Sequence, residues 1–275
     1  MASRNDPDRR AAPRGRLRIV GDLLYRTLRF IARHVQGFYG AVVASVSIGL
    51  VIGVVAAGGF ALFGAIVLEG VTQGADERIL RWMAAHQTEL LDHVALEVTS
   101  LGNTLVVATM VIVVSVFLWL SDHRISCYLL VIAVVGASLI NNVLKVLYDR
   151  PRPSIIDWGT EVMTYSFPSG HAMTAAVAYG SVAYLVGRLE PTPALRRATW
   201  VFAVLVIVLV GLSRVYLGVH YPSDVVGGFV AGTAWIALLA FTFRALKFFA
   251  PRKPDVEIEE RDLHAEEERE IGMRA

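Results

Sequence analysis

Five side chains of two chemical kinds stand out in the second half of the chain: the cations Lys145, Arg152 and Arg214 and the imidazoles His171 and His220. They lie at the ends of long apolar runs. Cations are unfavourable near such runs, since burying one at a membrane centre costs about 2.5 to 3.5 kcal/mol. A single cation could extend to the membrane surface, but three that converge with two histidines require a compensating anion. Phosphoryl transfer uses this combination, because guanidinium forks and an ammonium group stabilise charge spread over phosphate oxygens.

The spacing of the neighbouring polar residues suggests a role for each. Ser169 and Gly170 directly precede a predicted helix, so the Ser169 hydroxyl and nearby backbone N–H groups would face an anion at the positive helix end. His220 and Asp224 are four residues apart at another predicted helix start, where Asp224 can orient the imidazole and support the cation formed on attack. This favours His220 as nucleophile and leaves His171 as the general acid that protonates the leaving oxygen.

Two other kinds of site could use the same residues. His171, His220 and Asp224 are competent metal ligands, but three neighbouring cations would repel a divalent ion, so we expect neither a metal nor a cofactor. A proton or ion pathway in a transporter would place its charges near the middle of the helices, whereas these charges cluster at helix ends. Phosphate chemistry is therefore the preferred interpretation.

The composition indicates what kind of scaffold positions these residues. Of the 275 residues, 55% are hydrophobic and only 18% are charged, against roughly 45–50% and about 25% in soluble domains. This composition argues against a soluble enzyme, and a net charge of +2 argues against nucleic-acid binding. Cys127 is the single cysteine, so no intramolecular disulfide can form.

Six apolar stretches are long enough, or nearly so, to cross a bilayer as helices. The sequence therefore predicts an all-α polytopic membrane protein, a bundle of six transmembrane helices with the candidate active site at the outer ends of helices three to six. The stretches are Val35–Leu68 with its densest part at Ala41–Leu68, Val98–Ser121, Ile125–Leu144, Val162–Gly187 with its helical part starting near His171, Ala198–Ser213 with an extension to Leu217, and Val225–Phe243.

The arginines predict the orientation, because basic residues accumulate in cytoplasmic loops. Arginine or lysine residues lie in residues 1–34, in the 122–124 turn, in the 188–197 loop and in the first part of the tail after Phe243. Both termini are thus predicted to be cytoplasmic, with the candidate site outside. The first outer loop, 69–97, is acidic, and its apolar spacing predicts an amphipathic segment that lies on the membrane surface or packs on the bundle.

This pattern divides the chain into three parts. A basic cytoplasmic tail, 1–40, precedes a six-helix membrane domain, 41–248, and a charged cytoplasmic tail, 249–275, follows it.

Three motifs of the chain resemble a known family. They are KVLYDRPRP from Lys145 to Pro153, PSGH from Pro168 to His171, and SRVYLGVHYPSD from Ser213 to Asp224. In order and internal spacing they are similar to the three-part signature of the type 2 phosphatidic acid phosphatase and vanadium haloperoxidase superfamily. The resemblance implies a phosphohistidine on His220, orientation of His220 by Asp224, proton donation by His171, and phosphate binding by Lys145, Arg152, Ser169, Gly170 and Arg214.

The resemblance also implies a reaction. The membrane branch of the family removes phosphate from lipid headgroups without a metal, with phosphatidic acid, phosphatidylglycerophosphate and polyprenyl diphosphate as candidate substrates. Six spans argue against the soluble vanadate-dependent branch. A lipid phosphotransferase and a non-catalytic transporter or phosphate-binding protein remain as alternatives.

The expected partners are the lipid substrate and membrane lipids, without nucleic acid, and the oligomeric state stays open. The small size, the basic N-terminus and the absence of an N-x-S/T sequon favour a bacterial plasma membrane.

Overall fold

The computed structural model describes residues 38–156 and 164–249, and within these ranges every regular element is an α-helix. This agrees with the predicted all-α class. The two predicted tails lie outside the described residues, apart from 38–40 and 249. The eight helices are α1 (Phe38–Leu68), α2 (Gln73–Ala85), α3 (Glu89–Ser100), α4 (Thr104–Leu120), α5 (Arg124–Tyr148), α6 (Gly170–Leu189), α7 (Pro193–Tyr216) and α8 (Pro222–Phe249).

Five helices of the described part, α1 and α5 to α8, are long and apolar enough to cross a bilayer. The helices α3 and α4 meet at a 45° bend, and the two together are also long and apolar enough to cross a bilayer. The described part therefore has up to six spans if this pair forms one span. The structure differs here from the uninterrupted helix predicted for Val98–Ser121. The new helix begins because the Asn103 side chain accepts a hydrogen bond of 2.8 Å from the Leu105 N–H, a typical N-cap.

Residues 49–241 form one compact unit. The other described residues belong to a second unit: 38–48 are the start of α1, and 242–249 are the end of α8. Within the larger unit α6 is the central helix, since half of its 20 residues are buried and most of these are small. Small residues let neighbouring helices approach closely in a membrane, where packing drives association. Leu130 of α5 and Val210 of α7 pack against α6, whereas Leu105 and Leu120 expose apolar side chains on the outside, as lipid contact requires.

The amphipathic segment predicted in the first outer loop is α2, and one of its faces packs on the bundle. Leu80 is fully buried in a cluster with Val215 and Tyr221. Ile79 and Trp82 on the other face are exposed. Of the two predicted placements, packing on the bundle is therefore the one found for the buried face of α2.

Short connections between antiparallel helices bring the candidate site together. The helices α4 and α5 are joined by 121–123, α6 and α7 by 190–192, and α7 and α8 by 217–221. The ends of α5 and α7 and the starts of α6 and α8 consequently lie at the same end of the bundle. Lys145 and Arg214 are in the last turns of α5 and α7, while His171 and Asp224 are in the first turns of α6 and α8.

Candidate active site

The His220 side chain is held against Asp224, as their spacing predicts. His220 lies in the connection between α7 and α8, and its Nδ1 is 3.6 Å from Asp224 Oδ2. Both side chains are buried. The same carboxylate oxygen accepts hydrogen bonds from the Ser166 hydroxyl and from the Tyr221 N–H. Asp224 is therefore fixed from three sides and can orient the imidazole.

The other ring nitrogen of His220 faces a cation. Arg152 Nη1 donates to His220 Nε2 at 3.3 Å, so we assign the ring proton to Nδ1 and the lone pair to Nε2. Burial lowers the pKa of His220 to about 4, although the hydrogen bond and charge of Asp224 oppose this shift. A neutral imidazole with its lone pair on Nε2 is the form that can act as a nucleophile at neutral pH.

Arg152 is placed by backbone and hydroxyl oxygens of two loops. Its Nη1 donates to the Val219 carbonyl at 2.7 Å, and its Nε and Nη2 donate to the carbonyl and the hydroxyl of Thr164. Burial lowers the pKa of Arg152, and the Asp224 carboxylate offsets part of this effect. The guanidinium is thus held in one orientation, and no carboxylate of the described residues contacts it directly.

Lys145 and Arg214 are bound in a similar way. Lys145 Nζ donates to the Tyr165 carbonyl at 2.6 Å, and Arg214 Nη1 donates to the Thr99 hydroxyl at 2.9 Å. These two cations and Arg152 interact electrostatically with one another. Among residues 38–156 and 164–249, no carboxylate forms a salt bridge with any of the three. Three neighbouring cations that have no salt bridge in the part of the chain described create a positive potential, which favours an anion.

Two buried donor groups at this end of the bundle have no partner within the described residues. They are the hydroxyl of Ser169, the N-cap residue of α6, and Nε of Arg214. Buried polar atoms are nearly always paired, so unpaired donors indicate a missing acceptor. The Ser169 N–H, by contrast, donates to the Asp224 carbonyl at 2.9 Å and is not free for an anion. The first free backbone donors of α6 therefore begin at Gly170.

Gly170 lies in close contact with α5. A Cβ there would lie 3.0 Å from Asn141 Oδ1, since buried Asn141 of α5 sits against the start of α6. Asn141 also donates to the Pro168 carbonyl at 3.5 Å. The backbone of the PSGH motif is thus supported by α5, one turn before Lys145.

His171 lies in the first turn of α6 and is half-buried. It packs against the bend between α3 and α4, where a Cβ on Gly102 would lie 3.2 Å from the imidazole Cδ2. Its electrostatic partners are Arg214, His220, Lys145 and Arg152, so it faces the same group of cations. The structure therefore brings together all eight side chains and backbone positions selected from the sequence, whose roles remain predictions.

Four further residues of the site were not singled out from the sequence: Asp76, Arg150, Ser166 and Ser223. Arg150 and Ser223 lie within two of the motifs, where the resemblance implies no role for them, and Asp76 is one of the acidic residues of the outer loop 69–97. One available signal was helical spacing, because Asp76 shares a face of α2 with buried Leu80. Within the described residues, no group of three histidine, cysteine or acidic side chains is arranged to hold a metal ion.

Known proteins with similar sequences are phosphatases that act on lipids. Residues 124–247 match the family model of the PAP2 superfamily. A phosphatidylglycerophosphatase B of Bacillus subtilis is 32% identical over 63% of this chain and 85% of its own. An undecaprenyl-diphosphatase of Sulfolobus acidocaldarius is 35% identical over 40% of this chain and 52% of its own. A lipid A 1-phosphatase of Rhizobium johnstonii is 33% identical over 38% of this chain and 43% of its own.

A solved structure has the same fold. The crystal structure of a transmembrane PAP2 type phosphatidylglycerolphosphate phosphatase from Bacillus subtilis aligns with a TM-score of 0.65 and 28% identity, over 73% of this chain and 98% of that chain. Together with the apolar helices, these relatives identify an integral membrane protein. The chain belongs to the PAP2 superfamily, the family that its three motifs resemble.

Proposed function

We propose that this protein is an integral-membrane phosphatase that hydrolyses the phosphate headgroup of a lipid through a phosphohistidine, without a metal ion. One observation carries the proposal: Lys145, Arg152 and Arg214 interact electrostatically with one another, and Arg152 contacts His220 Nε2. In the described residues no carboxylate forms a salt bridge with any of these three cations. A phosphate dianion satisfies this arrangement and also the unpaired donors on Ser169 and Arg214. The names of the relatives, all phosphatases of lipid phosphates, agree with it.

In the first step, His220 Nε2 attacks phosphorus and the bond from phosphorus to the lipid oxygen breaks. His171, protonated beside the bound phosphate, transfers its proton to the leaving oxygen. The Nδ1–H of His220 points to Asp224, whose charge stabilises the positive ring formed on attack. The three cations stabilise the charge on the phosphoryl oxygens throughout.

In the second step, a water molecule attacks the phosphorus of the phosphohistidine. His171, now neutral, accepts the proton of this water, and the bond from phosphorus to Nε2 breaks. Inorganic phosphate leaves, and His220 returns to the neutral form with its proton on Nδ1. Both histidines are thus restored after one turnover.

Phosphatidylglycerophosphate is the first substrate to test, since the Bacillus relative with that activity in its name matches over most of its length. Polyprenyl diphosphate and phosphatidic acid are the next candidates. The three lipids share a terminal phosphate, which is the group that the cations bind. Contacts to the rest of the lipid would decide between them.

We expect the detergent-purified protein to release phosphate from at least one of these lipids in EDTA. Vanadate should inhibit competitively, because it presents oxygen atoms of similar charge and geometry to the same donors. The measurement is inorganic phosphate release, with and without added Mg²⁺. Activity that is lost in EDTA and restored by Mg²⁺ would contradict the metal-free mechanism. No release from any lipid by folded protein would favour a phosphotransferase or a binding protein.

We further propose that the chain consists of a six-helix phosphatase domain, 41–248, between the two cytoplasmic tails, 1–40 and 249–275, in a bacterial plasma membrane with the site facing outwards. Arg124 at the start of α5 supports this orientation, as do Arg188 at the end of α6 and Arg196 and Arg197 at the start of α7. All four lie at the end of the bundle opposite the site.

Cysteine labelling in intact cells tests the orientation. A membrane-impermeant thiol reagent should label Glu89→Cys, whose side chain is exposed near the candidate site, without permeabilisation. The matched variant Ser121→Cys, exposed at the opposite end, should be labelled only after permeabilisation. Cys127 is buried, so the background should be low. The reverse pattern would overturn the proposed orientation.

A further inference from the structure

A buried ion-pair network lies behind Asp224, on the side away from His220. Arg150 bridges two buried carboxylates, with Nη1 on Asp224 Oδ1 at 2.5 Å and Nη2 on Asp76 Oδ2 at 3.0 Å. The exposed fraction of these residues is 4% for Arg150, 3% for Asp76 and zero for Asp224. Buried charges of this kind persist only when each is paired and hydrogen-bonded.

The network is closed by neutral groups. Ser223 donates its N–H and its hydroxyl proton to Asp76, and its Oγ accepts a hydrogen bond of 2.8 Å from Arg150 Nη1. Gln73 Oε1 accepts from Arg150 Nη2 at 3.0 Å, and the guanidinium carbon is 4.2 Å from the centre of the Tyr221 ring. The Arg150 fork is therefore held in one orientation from α2 and from the start of α8.

The two oxygens of Asp224 have separate tasks. Oδ1 binds Arg150, whereas Oδ2 faces His220 Nδ1 and accepts from Ser166 and Tyr221. A carboxylate whose Oδ1 is held by a rigid guanidinium cannot rotate freely, so Arg150 determines where Oδ2 lies. Asp76 in turn determines where Arg150 lies.

Asp76 also affects the charge that reaches the imidazole. If Arg150 contacted Asp224 alone, one cation would neutralise one carboxylate. Because Arg150 is shared with Asp76, the group of three keeps a net negative charge next to His220. Apart from this group, the charged or titratable partners of His220 within the described residues are cationic or basic: Arg152 in the loop after α5, Arg214 of α7 and His171 of α6.

We propose that Asp76 and Arg150 are positioning residues of the phosphatase reaction: Arg150 fixes Asp224 with one oxygen directed at His220, and Asp76 fixes Arg150 and preserves the negative charge of the group. This inference rests on the proposed function. It assigns a catalytic task to α2, the amphipathic helix of the outer loop, although none of its residues is in the three motifs.

The test compares kcat, KM and the pH profile of phosphate release for wild type, Asp76→Asn and Arg150→Lys in detergent. We expect kcat to fall about 10- to 100-fold in both variants, because a misplacement of about 1 Å has an effect of this order. KM should change less than about twofold, since neither residue touches the proposed phosphate site. Glu89→Gln and Arg78→Lys, exposed residues of the same outer segment, are the matched controls and should behave as wild type.

The pH profile separates positioning from a general loss of structure. Asp76→Asn removes a negative charge, which disfavours the imidazolium, so the acidic limb of kcat/KM should move to lower pH. Arg150→Lys keeps the charge but loses the planar fork, so kcat should fall without a shift of that limb.

The results that would contradict this inference differ from those that would contradict the proposed function. Wild type that releases no phosphate contradicts the proposed function. Active wild type with Asp76→Asn and Arg150→Lys at wild-type kcat, or with losses confined to KM, contradicts the positioning role alone. If neither variant yields a folded, monodisperse protein, the network is a folding element and the positioning role is wrong. If only one folds, its kcat and KM decide the question.

Discussion

His220→Ala is expected to reduce phosphate release by a factor on the order of 10⁴ or more, because it removes the imidazole whose Nδ1 faces Asp224 and whose Nε2 faces Arg152. The cations would remain in place, so lipid phosphate should still bind. The measurement is the initial rate of phosphate release together with binding of vanadate or a non-hydrolysed lipid phosphate. His93→Ala, an exposed histidine of α3, is the matched control and should retain wild-type activity.

The same variant tests the covalent intermediate. Rapid quenching of wild type with a lipid carrying radioactive phosphate should give labelled protein that is stable in base and labile in acid, as a phosphoramidate bond is. His220→Ala should give none. Turnover by His220→Ala at a rate near wild type, or label that persists in that variant, would exclude His220 as the nucleophile.

Asp224→Asn is expected to reduce kcat by roughly 10³- to 10⁴-fold, the size of effect known for the loss of an orienting carboxylate in a catalytic triad. The asparagine amide can donate to Nδ1, which would move the ring proton to Nε2 and remove the nucleophilic lone pair. Arg150 would also lose one of its two carboxylate partners. The measurement is kcat with a saturating lipid, and thermal unfolding in detergent shows whether the variant is folded.

The matched control for this variant is Asp122→Asn. Asp122 is exposed in the turn between α4 and α5, and asparagine tolerates its positive φ of 58°. This variant should keep wild-type kcat. An Asp224→Asn protein within about tenfold of wild type would show that the ring orientation does not depend on the carboxylate, contrary to the orienting role proposed for Asp224.

The helices themselves could be predicted from the sequence because membrane insertion depends on local length and apolarity. The uncharged run Ile125–Leu144 falls within α5, and the histidine of the PSGH motif falls in the first turn of α6. The bend between α3 and α4 could be predicted only in part. Asn103 is a local N-cap signal, but the close approach at Gly102 depends on packing between distant segments. A Cβ at Gly102 would meet Val210 of α7 at 2.6 Å and His171 of α6 at 3.2 Å, which the apolar pattern around it does not reveal.

The candidate site could be predicted to a similar extent. Its eight residues are recognisable because cations and histidines are conspicuous at the ends of apolar runs and because the three motifs have fixed internal spacing. Which donors are free to bind an anion is harder to predict from the sequence. The Ser169 N–H donates to the Asp224 carbonyl, while the Ser169 hydroxyl has no partner among the described residues. Such detail depends on how the start of α6 meets the start of α8.

The sequence by itself determined the all-α membrane class, the family and the charged residues at one end of the helices, since all of these depend on local composition and spacing. Only the tertiary structure decided which of those charges are paired. Asp76 and Arg150 are 74 residues apart in the chain, and neither indicates the other by pattern. Their ion pair exists because α2 packs its buried face against the end of the bundle. There two carboxylates and one guanidinium are shielded from water, so their charges must be paired with one another.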